Sequence, residues 1–294
     1  MILNVSGRTD IVAFYSKWFI NRYKIGYVDV RNPFYPQNIS RIYFKDVDAI
    51  LFCTKNPIPI IPYLKIIDKP IVFHITITPY HKDIEENVYN KKKIINSIKK
   101  LAKIIDNNYI YIRYDPIFIN EKYNIDYHIK AFNKLCMLLN NYIKHIIISF
   151  IDEYKNVKLN YKYLKYKKIT KQEIHILAKN FAEIAKKNNM SIQTCCEDEL
   201  EDELKEYGFI TNACMSQELA YQLTNKKYKK WKSRPCNCVE LVDIGAYNTC
   251  KHFCKYCYAN YDEKKVKENV AKHDPNSSLL IGKLNKDDII KVRK

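Results

Sequence analysis

The chain has 294 residues, 47% of them hydrophobic, enough for one large core with a small appendage. No run of about 18 apolar residues occurs, and the opening MILNVSGRTD lacks the basic stretch and apolar core of a secretory signal, so a cytoplasmic protein without a membrane partner is expected. The formal charge is +18, yet only seven of the 50 basic residues are Arg, and the abundance of Lys, Ile, Asn and Tyr reads first as solvated lysine faces and second as affinity for nucleic acid.

Up to about residue 214, short apolar runs alternate with amphipathic stretches. Strands are expected at Ile2–Ser6, Tyr27–Arg31, Ala49–Thr54, Ile71–Thr78, Tyr109–Tyr114, His145–Ile151, Ser191–Thr194 and Phe209–Thr211. They are rich in Ile, Val, Phe and Tyr and mostly do not alternate, as strands buried on both faces should read. Helices are expected at Ile11–Tyr23, Ile84–Ile105, Asp126–Leu139 and Lys171–Lys187, while the Lys- and Tyr-rich Asn156–Lys168 reads as an exposed loop or irregular helix. Repeated strand–helix units predict an α/β fold, a full or partial (β/α) TIM-type barrel over residues 1–214. Residues 215–262 form a cysteine-rich segment expected to pack on the barrel top, entered by a short helix (Ser216–Thr224) and the run KKYKKWKSRP. Residues 263–294 read as a polar surface tail.

Polar residues collect just after the expected strands, while the strand interiors hold almost none. Gly7-Arg8-Thr9-Asp10, Asn32-Pro33, Thr54-Lys55-Asn56-Pro57, Arg113-Tyr114-Asp115-Pro116, Thr194-Cys195-Cys196-Glu197 and Asn212-Ala213-Cys214 all follow such runs. In parallel α/β folds these ends build the active site. Helix caps and turns account for Thr9, Asn32 and Pro57. They do not account for Arg8, Lys55 and Arg113, because a cation at a helix N-terminus opposes the dipole. Those three are candidates for holding a carboxylate or phosphate, with Asp10 and Asp115 to orient them or act as acid and base. Where Lys is the default cation, Arg8, Arg31, Arg113 and Arg234 mark places that need a planar fork.

Ten cysteines without an export signal argue against a disulfide framework, and eight of them fall between Cys195 and Cys257. Cys53 and Cys136 stand alone and read as core residues. The Cys250-x3-Cys254-x2-Cys257 spacing lets one loop hold three corners of an oxygen-sensitive [4Fe–4S] cube and leave the fourth iron open. Tyr256, before the last cysteine, would shield it from water. A zinc site using one further cysteine, or three unrelated thiols, are the alternatives.

Cys-x3-Cys-x-aromatic-Cys resembles the signature of radical S-adenosylmethionine enzymes. More specifically, the chain resembles the family catalogued as domain of unknown function 1848 over roughly residues 1–260. The likeness rests on VSGRTDIVAFY, VRNPFYPQNISRI, FCTKNP, ITITPY, IRYDPI, ISFID, TCCE, RPCNC and DIGAYNTCKHFCKYCYAN. It implies a radical-SAM-type barrel whose cluster loop sits at the C-terminus, where the last strand of a closed barrel neighbours the first. It implies S-adenosylmethionine as cofactor, with Asn32, Asn56, Tyr256 and Tyr258 as cofactor-binding candidates. An electron donor such as ferredoxin or flavodoxin would be the partner, and the substrate a small molecule or nucleic acid. No Gly-Gly-Glu-like run is present to receive the methionyl amine.

Cys195, Cys214, Cys236 and Cys238 supply four more thiolates, enough for a second [4Fe–4S] cluster or a zinc site, unless they are buried structural thiols. Cys196 is a substitute for Cys195, and the likeness to a Thr-Cys-small-Glu stretch favours Cys195. Two other functions compete with a radical enzyme. One is a nucleic-acid-binding or repair protein, drawing on Lys226–Arg234 and the many tyrosines. The other is a two-cluster electron-transfer protein.

Overall fold

In the computed structural model, β1 (Ile2–Val5) leads through α1 (Ile11–Phe14) and α2 (Ser16–Ile25) to the antiparallel pair β2 (Tyr27–Arg31) and β3 (Asn38–Tyr43). Next come β4 (Ala49–Thr54), β5 (Ile71–Thr76), α3 (Lys91–Leu101), β6 (Ile110–Ile117), α4 (Ile125–Leu139) and β7 (His145–Phe150). They are followed by α5 (Lys155–Leu159), α6 (Tyr161–Leu164), α7 (Lys171–Lys187), β8 (Ser191–Thr194), α8 (Glu201–Lys205) and α9 (Gln217–Thr224). The order closes with β9 (Leu241–Asp243), α10 (Glu263–Ala271) and β10 (Ile289–Val292). The structure describes residues 1–210, 213–232 and 236–294, without the side chains of Asp198 and Glu201.

Seven strands form one parallel sheet in the order β8-β7-β6-β5-β4-β1-β9. Side chains alternate between its faces, and both faces are covered, which is why the strands read as continuous apolar runs. Leu3, Phe52, Phe73, Ile112 and Ile148 enter one core with Trp18, Ile98, Phe132 and Phe181 from the helices. On the other face Ile2, Leu51, Val72, Tyr111 and Ile147 meet Met215, Leu219, Cys236 and Cys238. Helix ends follow local chemistry: Asn90, Asn124 and Thr170 accept from the third residue beyond them, and Glu173 completes a capping box with Thr170. The fully buried Phe132 and Phe181 rings stack with centroids 4.0 Å apart and lock α4 on α7. Phe132→Ala there would cost about 3–5 kcal/mol.

The parallel α/β sheet matches the sequence expectation, but its ends do not join. β8 and β9 are its two edges, and among the described residues no ladder closes it into a barrel. Tyr27–Arg31 leaves the main sheet and forms a separate one in the order β10-β3-β2. The reason is local: buried Asp29 pairs with Arg41 on β3 through bonds of 2.8 and 2.9 Å, a partner that the sequence reading did not assign to a strand. Around the expected eighth strand, Ile210 makes only a bridge to Gln193, and Thr211 and Asn212 lie outside the described residues, as does Arg234. The position beside β1 is taken by β9, three residues long and too short to show periodicity.

The helix expected over Ile84–Ile105 begins only at Lys91, because Asn90 caps it there. Strand interiors also hold more polar groups than expected, since Asn4, His74 and Gln193 are all buried. The C-terminal stretch read as a polar tail forms α10 and then β10, which pairs with β3, while Arg31 grips Asp288 at 2.6 and 2.7 Å. Among the described residues, no helix is long and apolar enough to cross a membrane.

Candidate functional site

β9 runs parallel beside β1, so the loop that follows it starts at the C-terminal edge of the sheet. This loop carries Cys250, Cys254 and Cys257. The first two are buried and the third half-buried, and none is in a disulfide. Its backbone turns through left-handed conformations at Asn248 (φ 52°) and Phe253 (φ 54°), which non-glycine residues seldom adopt. Such a shape persists only where its surroundings hold it.

Those surroundings come from four directions. Asn156 on α5 donates to the carbonyls of Cys257 and Asn260, and Asn160 donates to that of Lys255 at 2.7 Å. The 81–88 turn receives the loop edge through Lys255 N to Ile84 O (2.9 Å) and Asn87 N to His252 O (3.0 Å). Asn260 donates to Cys250 O at 2.6 Å, and Tyr15 OH donates to Thr249 O at 2.7 Å. Tyr258 OH donates to Gly7 O, tying the loop to the end of β1.

Beside the loop lies a buried charge network. Asp10 caps α1 by accepting from Ala13 N, and its other oxygen accepts from Lys55 N (2.8 Å) and faces His252 Nε2 (2.9 Å). One carboxylate thereby joins the ends of β1 and β4 to the cysteine loop. Glu85, 2% exposed, pairs with Lys55 (2.9 Å) and Lys91 (2.8 Å) and accepts from Thr78 and Tyr256. Burial pushes the Glu85 pKa up, but Lys55 and Lys91 outweigh it and hold the carboxyl at about 2. Burial likewise works against charge on Lys55, yet Glu85 and Cys254 keep its pKa above the ordinary value. Burial raises the thiols of Cys250, Cys254 and Cys257, with Lys55 opposing it at the last two.

A second gathering of thiols lies on the other face of the sheet. Cys195 Sγ is 3.8 Å from Cys214 and 3.9 Å from Cys196, and Cys214 Sγ is 3.4 Å from Cys238. Cys196 and Cys238 also act on the Cys236 thiol, which joins the other four in one ring-like group. The Arg113 guanidinium holds Asp115 at 2.8 Å and acts electrostatically on Cys195. Contacts from Cys196 and Cys214, together with Arg113, bring the Cys195 pKa well below the usual thiol range. Asp115, paired with Arg113, lies within electrostatic reach of Lys55 as well.

Each cation expected to hold an anion is thus already paired within the chain. Arg8 bonds Asp243 Oδ1 at 3.2 Å and the Asp243 carbonyl at 2.8 Å, Lys55 pairs with Glu85, and Arg113 with Asp115. Asn32 sits in the turn between β2 and β3 and accepts from Phe34 N and Tyr35 N, while Asn56 accepts from Ile58 N; both shape turns. Tyr256 is buried against the Tyr80 ring at 5.8 Å, and Tyr258 is 40% exposed. Cys53 is half-buried with its Sγ 3.4 Å from Asn4, and Cys136 is fully buried. Sequence reasoning missed His252, Glu85, Asp243, Asn156 and Asn160. His252 and Asp243 lie inside blocks that had drawn attention, whereas Glu85 and the two asparagines carry no local signal.

Among the described residues, no three His, Cys, Asp or Glu side chains already surround one point as ligands of a single ion.

The profile of the family described as Domain of unknown function (DUF1848) matches residues 2–259. The chain belongs to this family. The DUF1848 match contains both cysteine gatherings and stops before α10 and β10. No curated protein and no solved structure matches the chain.

Proposed function

We propose that the chain is a radical-SAM-type iron–sulfur enzyme in which Cys250, Cys254 and Cys257 hold a [4Fe–4S] cluster with one iron open to S-adenosylmethionine. The observation that carries this reading is the gathering of three unbridged thiols on one loop whose main chain is fastened from every side. The donor set fits the group: three thiols, each within electrostatic reach of another, in a place that burial keeps dry. When bound, the cluster and S-adenosylmethionine supply one-electron chemistry that removes hydrogen from a substrate.

The chain's own residues then have separable tasks. Tyr256 keeps water from the cysteines, and Glu85 holds Tyr256, Lys55 and Lys91 in one place. Asp10 and His252 fix the loop against the ends of β1 and β4. Arg8, just after β1, and Arg113 and Asp115, in the second half of β6, would face a bound substrate on a sheet we read as a partial barrel. The basic surface suits an acidic electron donor of ferredoxin or flavodoxin type.

Anaerobic reconstitution, reduction and incubation with S-adenosylmethionine test the reading. It predicts 5′-deoxyadenosine, absent in Cys254→Ala; an intact cluster with no product would overturn it.

One observation favours a second reading, a nucleic-acid-binding protein. A groove of about 570 Å³ beside Arg8 is lined by Lys229, Lys230, Lys232 and Arg293, with Phe34 (81% exposed) and Trp231. Cations with aromatic faces are what single-stranded nucleic acid requires. Binding of an oligonucleotide that ignores added salt would count against this reading.

A further inference from the structure

The five-sulfur ring draws on three separated stretches of chain: Cys195–Cys196 after β8, Cys214 before α9, and Cys236–Cys238 before β9. Thiols are weak hydrogen-bond partners, so their mutual contacts offer little reason for such convergence. Their spacing is more telling. A tetrahedron with Zn–S bonds of about 2.3 Å has edges of about 3.8 Å. The Cys195–Cys214 separation is 3.8 Å, the Cys195–Cys196 separation 3.9 Å and the Cys214–Cys238 separation 3.4 Å, so spacing gathers the thiols and exposure, not distance, sets Cys196 apart. Four cysteines on a cube each take a different iron and stand farther apart. The sulfurs lie side by side without yet enclosing a point, so binding needs deprotonation and small χ1 rotations.

Two neighbours point the same way. Four thiolates around a divalent ion leave two net negative charges, and the half-buried Arg113 guanidinium already acts on Cys195. His74, 2% exposed, contacts the Cys214 main chain while its Nε2 has no hydrogen-bond partner. Among the five, Cys196 is the exposed one and sits at φ 60°.

We infer that Cys195, Cys214, Cys236 and Cys238 form a second metal centre, a closed four-thiolate site for one zinc-type ion, with Cys196 outside the ligand set. The ion links the two edges of the open sheet, since Cys195 directly follows β8 and Cys236–Cys238 lead into β9. Its role is structural, and it is independent of the cluster assigned to Cys250, Cys254 and Cys257.

The test uses the full chain carrying Cys250→Ala, Cys254→Ala and Cys257→Ala, produced with added zinc and measured for zinc and iron per chain. The inference expects about one zinc, retained in a further Cys196→Ser variant and lowered about tenfold or more by Cys214→Ser. If Cys214→Ser fails to fold, cobalt in place of zinc in the triple variant decides. Thiolate-to-cobalt charge-transfer absorption with a tetrahedral ligand-field spectrum supports the site. Absence of that spectrum, zinc unaffected by Cys214→Ser, an iron–sulfur chromophore in the triple variant, or a disulfide within the ring would overturn it.

Discussion

Cys250, Cys254 and Cys257 lie within eight residues of one another, whereas Cys195, Cys214, Cys236 and Cys238 meet across 44. The first set needs no fold to bring its thiols together. It needs one to hold an improbable loop shape, and the restraints come from Asn156, Asn160, Glu85 and Asn260. The second set needs the fold for proximity itself, because β8 and the approach to β9 stand at opposite edges of the sheet. A site written in one loop depends on what grips it. A site assembled from distant segments depends on the sheet being complete.

Changes to the grip should therefore separate the two regions. Glu85→Gln removes the buried carboxylate that the half-buried Lys55 and Lys91 share. A loss of about 3–5 kcal/mol in urea unfolding is expected, with iron at the loop depleted before zinc at the ring. Less than about 1 kcal/mol would show that the network is no keystone. Asn156→Ala strips donors from the Cys257 and Asn260 carbonyls and should cost about 1–3 kcal/mol. Iron retention after gel filtration should fall while ring zinc stays constant. Equal loss of both metals would erase the distinction between the regions.

The sequence disclosed the loop site readily because its cysteines, aromatic and neighbouring blocks are contiguous. It disclosed the ring only as a count of thiols, since nothing local shows that Cys195 and Cys238 face one another. The parallel strands were legible from unbroken apolar runs such as Ile71–Thr76. The place of β2 was not, because an Asp29–Arg41 pair across β3 decides it. Glu85 stayed hidden inside an apparent helix, and Asn156 and Asn160 inside a stretch that looked merely solvated. Their roles depend on long-range neighbours.

Smaller effects come from places remote from both sites. His128 is fully buried, with its ring bonded to Tyr114 OH and facing Phe118 O at 3.0 Å. Burial lowers its pKa to about 4, against a weak opposing pull from the Phe118 carbonyl. The unfolded chain therefore binds the extra proton below about pH 6.5, and stability should fall by up to about 1.4 kcal/mol per pH unit between pH 6.5 and 4. His128→Gln should flatten that part of the pH profile; an unchanged slope would remove His128 as its source. Thr170→Ala, which breaks the α7 capping box, should cost about 1 kcal/mol and leave both metal contents unchanged. Metal loss there would mean that the sites report general instability.

The most direct measurement is electron paramagnetic resonance of the anaerobically reconstituted, reduced protein with and without S-adenosylmethionine. An open iron on the Cys250–Cys254–Cys257 cluster predicts a reduced-cluster signal that shifts when S-adenosylmethionine is added and is missing from Cys254→Ala. A signal that ignores S-adenosylmethionine, or that survives Cys254→Ala, would contradict the account.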